Sequence, residues 1–110
     1  MTNPYAKARA EAQAAFDAAD IAVRKAAAQY WAAVADRGGK SLTTHGPVSA
    51  FVTSRDESEA ALIERLKHDQ TIIDLDHAWA QAHANAMRTA AIFRAVNMAA
   101  SAWDWDHLLD

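Results

Sequence analysis

The sequence predicts an all-α fold: an antiparallel long-helix hairpin or three-helix arrangement, able to dimerise into a four-helix bundle. Three observations carry this expectation. The hydrophobic fraction is 52%, and about half of it is alanine, the residue with the best intrinsic helix propensity. The three glycines lie together in one stretch. Two long segments on either side, Tyr5 to Arg37 and Ser54 to Asp110, contain neither glycine nor proline. No strand-like alternation of useful length occurs, and no repeat at a solenoid period.

The chain of 110 residues reads as one helical domain, 1–110. The first predicted helix covers 4–37. Thr2 or Asn3 serves as its cap, and Pro4 suits the first helical position, where its missing N–H costs nothing. Gly38 and Gly39 supply the stop. Tyr5, Phe16, Val23, Tyr30 and Val34, with Ala8, Ala12, Ala19 and Ala27 between them, form one apolar stripe. Phe16, Val23 and Tyr30 fall seven apart, as in a coiled-coil seam. A second row, Ala6, Ala10, Ala14, Ala18, Ala22 and Ala26, repeats every four residues and winds round the helix as a shallow ridge.

A connector is expected over 38–53, with a short helical turn from Pro47 to Val52 and Phe51 and Val52 plugging one end of the bundle. A helical region follows over 54–102. Ser54 and Glu57 form a capping-box pattern at its start. Leu62, Leu66 and Ile73 make one stripe; Ile72, Leu75, Trp79, Ala82, Ala86, Ala90, Phe93, Val96 and Ala100 make another. The two meet near 68–71, where a polar run predicts a break, with Thr71 as the cap of a third helix and Asp74 at its third position. An acidic aromatic tail, 103–110, departs from the pattern.

Formal net charge is -3, so no global basic field draws the chain to nucleic acid. Arg55, Arg65, Lys67, Arg88 and Arg94 are scattered, and a DNA-binding regulator, acting through a dimer that pairs Arg24, Lys25, Arg88 and Arg94 into one patch, is only the third expectation. The absence of cysteine excludes disulfides and thiol chemistry and fits a cytoplasmic setting. The start of the chain lacks a basic segment followed by an apolar one, and no apolar run approaches membrane-spanning length.

Metal and catalytic patterns are incomplete. Asp74 and His77 share a helix face, but a bundle metal centre needs a second carboxylate-x-x-His pair, which the chain lacks. Gly39-Lys40-Ser41 resembles the end of a phosphate loop. The required earlier glycine is replaced by Val34, and a helix rather than a strand precedes it. His45 has no identifiable orienting acid, and no serine sits in a nucleophile-elbow context. No cofactor, metal or catalytic residue is therefore assigned, and no enzyme activity is expected.

What remains is interaction. Trp103 and Trp105 are two apart, so on a helix they point about 200° apart and cannot share one buried face. Asp104 and Asp106 flank them, and no Lys or Arg follows Arg94. These four residues are the expected contact with a protein partner bearing a basic surface. Ala14, Ala18, Ala82 and Ala86 are the expected self-association surface of a homodimer. The leading function class is a non-enzymatic interaction module: an adaptor, inhibitor or small regulator. The alternative is a structural or assembly subunit of a larger particle.

Overall fold

The computed structural model describes residues 2–41, 51–53 and 58–108. Among them the fold is all-α: helix α1 spans Ala6–Asp36, α2 spans Glu59–Leu66 and α3 spans Gln70–Asp106. Two strands of three residues each, β1 (Gly39–Ser41) and β2 (Phe51–Thr53), pair antiparallel with Gly39 opposite Thr53 and Ser41 opposite Phe51. This ladder replaces the expected helical turn at Phe51 and Val52. Segments so short leave no period-two signal to read. The expected cap at Ser54 lies outside the described residues. The chain forms two compact units, Met1–Val23 with Gln81–Asp110 and Arg24–Ala80.

In the first unit, α1 and α3 pack antiparallel in the manner of a hairpin. Asn3 begins α1: its Oδ1 accepts from the Tyr5 N–H at 2.8 Å, satisfying one of the open donors of a helix start. Its Nδ2 donates across to the carbonyl of Ala100 and to Oδ1 of Asp104, both at 2.9 Å. One side chain thus caps α1 and ties it to the far end of α3. Deeper in the unit, Phe16 stacks on Phe93, with ring centroids 6.3 Å apart. Ala12, Ala19 and Ala100 are buried, so the helices meet through small residues with one aromatic pair between them.

Along α3 in this unit, Ala82, Ala86, Phe93, Val96, Ala100 and Trp103 are each buried or half-buried. The alternating three-and-four spacing runs on through Trp103 to His107. Residues 103–106 therefore belong to α3 and do not form a separate tail. On α1, Tyr5 and Ala8 fall outside the buried stripe, which starts at Ala12.

The second unit holds the larger side chains. Val34, Leu62, Leu66 and Ile72 form a buried cluster, with Tyr30, Trp31 and Ala33 packed against it. Tyr30, Trp31 and Trp79 sit around one another with centroids 5.0 to 6.4 Å apart. Gly38, at φ 97°, ends α1 in the left-handed conformation that glycine adopts without penalty. Ser58 caps α2, its Oγ accepting from the Ala61 N–H at 3.1 Å.

The turn between α2 and α3 lies at 67–69. Asp69, not Thr71, opens α3: its Oδ1 accepts from the Ile72 N–H. Asp69 also pairs with the Arg37 guanidinium. Arg37 in turn donates to the Ala33 carbonyl at 3.0 Å, and the Arg37 carbonyl accepts from Arg65 at 2.6 Å. Arg37 thereby joins the end of α1 to the start of α3.

The Arg37 hydrogen bond is the main cause that holds the Asp69 carboxyl below its ordinary value, with the Ile72 N–H adding to it. A depressed carboxylate contributes stability that is fully present above its unfolded value, about 3.9, and is lost as pH falls through the lower folded value. Stability measured by urea titration is expected to decline as pH drops from 5 toward 2, and Asp69→Asn should flatten that decline. An unchanged pH profile in the variant would show that the ion pair carries none of the acid sensitivity.

Candidate functional site

The expected contact residues all lie on the last turns of α3, in the first unit, but they do not share one environment. The Trp103 ring is half-buried and stacked against His107, with centroids 3.8 Å apart and ring planes 13° apart. His107 Nδ1 lies 2.7 Å from the Trp103 carbonyl, which holds the imidazole over the indole. Trp103 therefore continues the inner stripe. Trp105, by contrast, is 75% exposed. The 200° divergence between the two positions is what separates them.

The two aspartates also differ. Asp104 is exposed, yet one of its oxygens accepts from Asn3. It has a structural bond as well as a charge facing water. Asp106 is exposed at the last helical position. Negative charge beside the carbonyl end of a helix is unfavourable by the helix dipole, and no basic residue occupies the last turn to offset it. Local helix stability does not account for these carboxylates.

Leu108 joins the exposed set at 67% exposure, a residue that the sequence reading did not single out. Ser101, Asp104, Trp105 and Leu108 follow helical spacing and border a shallow recess of about 270 Å³. Further back, Met98 is 68% and Met87 60% exposed. The spacing Met87, Ala91, Arg94, Met98, Ser101, Trp105, Leu108 alternates four and three. It is a second seam on the outward side of α3, and it was available in the sequence.

The expected self-association residues separate as well. Ala82 and Ala86 are half-buried and lie on the same stripe of α3 as Phe93 and Ala100. Ala14 and Ala18 are exposed on α1. The structure does not bring these four alanines onto one open surface.

A second concavity, in the second unit, has a volume of about 500 Å³ and is lined by Tyr30, Ile63, Leu66, Ile72, Asp76 and His77 among others. Burial first, and the Asp76 charge second, push the Tyr30 phenol above its ordinary value. Asp76 and His77 are adjacent on α3 and project about 100° apart, so they do not converge on one proton as an acid–base pair would. Among the described residues no three His, Asp or Glu side chains gather where a metal ion could be held, and Asp74 and His77 have no third partner. No helix among them is long and apolar enough to cross a membrane.

Comparison with protein-family models, with curated proteins and with solved structures found no match to this chain.

Proposed function

We propose that this protein is a non-enzymatic helical interaction module whose contact surface is the outward face of α3 toward its C-terminal end. The observation that carries this is Trp105, held on a regular helix with 75% of its surface in water. An indole costs hydrophobic free energy in that position unless a partner covers it, and tryptophan is among the residues that dominate binding energy at interfaces. Met98 and Leu108 extend the apolar surface, and Asp104 and Asp106 frame it with negative charge. That combination suits a protein partner presenting an apolar strip with a basic rim. The absence of cysteine is consistent with work in a reducing, cytoplasmic setting.

The test pairs capture with kinetics. Wild-type protein and Trp105→Ala are immobilised, partners are taken from the native host, and dissociation of each identified complex is timed. Loss of a buried tryptophan anchor costs about 2 kcal/mol, so dissociation should accelerate roughly 30-fold. Asp106→Asn should lower the association rate and its salt dependence instead. Circular dichroism should show both variants as helical as the wild type, since neither side chain is buried. If Trp105→Ala retains the same partners with the same lifetimes, this surface is not the contact site.

A further inference from the structure

The outward seam of α3 has a feature that selects its occupant. Its charges are separated along the helix. From Gln81 to Trp103 the only formal charges are Arg88 and Arg94; from Asp104 to Asp110 there are three aspartates and no basic residue. Arg88, Arg94, Asp104 and Asp106 are all exposed. Arg88 lies toward one end of this surface and the aspartates at the other, an arrangement that is complementary to itself when turned end for end. Two copies lying parallel would set Arg88 against Arg88 and aspartate against aspartate, whereas two copies lying antiparallel set each Arg88 toward the partner's acidic end, with the two Arg94 near the middle of the pair.

The apolar residues obey the same symmetry. In a three-and-four seam paired antiparallel, residues that follow a gap of four face residues that follow a gap of three. One register of this kind faces Ala84 with Leu108, Met87 with Trp105, Ala91 with Ser101 and Arg94 with Met98. Ala84 then meets Leu108, small against large, at the ends, and Ala91 with Ser101 lets the helices approach nearer the middle. A methionine thioether against an indole is a favourable sulfur–aromatic contact. In the same register Arg88 lies on the same side as the partner copy's Asp106, about 3 Å from its level.

We infer that a second copy of this chain occupies the outward face of α3, antiparallel, over residues 84–108. The inference rests on the proposal that this face is the interaction surface, and names its partner. It replaces the half-buried Ala82 and Ala86 with the exposed Met87, Met98 and Trp105 as the self-association surface. The seam is about 36 Å long at 1.5 Å per residue and about 10 Å wide, or roughly 360 Å² per copy. Stable complexes bury about 800 Å² per partner, so this dimer belongs to the weak, transient class. Association is expected at tens to hundreds of micromolar.

Two measurements test it. Sedimentation equilibrium of the full chain from 5 to 500 µM should show a monomer–dimer equilibrium. Trp105→Glu should shift its midpoint at least tenfold upward, with an unchanged circular dichroism spectrum. The natural chain has no cysteine, so single cysteines report register cleanly. Ala91→Cys mixed with Ser101→Cys at high concentration should form a disulfide-linked heterodimer under mild oxidation, in preference to either homodimer. Preferred Ala91→Cys homodimers would mean parallel pairing and overturn the antiparallel arrangement. A wild-type monomer throughout the range would overturn self-pairing altogether. Should that monomer still lose captured host partners on Trp105→Ala, the interaction surface stands and only its assignment to a second copy falls. Loss of neither dimer nor partners on substitution at Trp105 would remove both.

Discussion

Leu62→Ala is expected to destabilise the protein by about 3 kcal/mol, the centre of the range for a buried leucine whose cavity only partly collapses. Among the described residues, Leu62 is fully buried in a cluster with Val34, Leu66 and Ile72, against which Tyr30, Trp31 and Ala33 pack. It reaches that position because α2 is short, capped at Ser58, and presents Leu62 and Leu66 one turn apart on the same face. The other buried apolar residues of the chain include Ala12, Ala19 and Ala100, which bury little area each. A domain of this size has only about 5–15 kcal/mol of stability in total. The melting temperature should fall by about 12 °C, at roughly 4 °C per kcal/mol. Ile63, the neighbouring residue on the exposed side of α2, is the control. Ile63→Ala should cost well under half as much. Equal losses for the two would mean that the buried cluster is not where stability resides.

Gly39→Ala is expected to cost about 2 kcal/mol, by overpacking rather than by cavity formation. A Cβ at Gly39 would lie 2.5 Å from Cγ1 of Val34 and 3.3 Å from the Val34 carbonyl oxygen. Val34 is buried and β-branched, so its methyl has little freedom to move aside. Leu62 Cδ2, at 3.4 Å, closes the other side. The closeness follows from the chain path. Gly38 turns at positive φ, which brings Gly39, the first residue of β1, against Val34 near the end of α1. A double-mutant cycle separates this contact from a general effect on the turn. Combined with Val34→Ala, which removes the closest methyl, Gly39→Ala should cost measurably less than in the wild-type background. Full additivity would place the strain elsewhere.

These two substitutions also mark where sequence and structure part company. Gly38-Gly39 is legible as a helix stop, because glycine after a long alanine-rich segment has few other readings. That Gly39 is needed for close approach to Val34 and Leu62 is not legible, since Val34 meets it only through the path of the turn at Gly38 and Leu62 comes from α2, more than twenty positions on. The cap of α3 shows the same limit. Asp69 and Thr71 are both acceptable caps, and Asp69 is selected in a fold where Arg37 stands beside it. In the candidate site, the divergence of Trp103 and Trp105 could be computed from helical geometry alone. Which of the two would be covered depended on His107 and on the direction of the inner stripe.

The sequence by itself determined the helical class, the stripe from Ile72 to Ala100, the region of the α2–α3 break and the charge separation along α3. All of these follow from local propensity and from periodicity along one chain. The tertiary structure decided which alanines face inward, that Asn3 bridges α1 to Ala100 and Asp104, that a small ladder follows Gly38, and that Trp105 rather than Trp103 is left in water. The physical reason is composition. In helices so rich in alanine the apolar residues surround the axis, so periodicity alone does not mark a single buried face. The few large side chains, Phe16 against Phe93 and Val34 among Leu62, Leu66 and Ile72, set the faces by packing, and packing is a property of pairs distant in sequence.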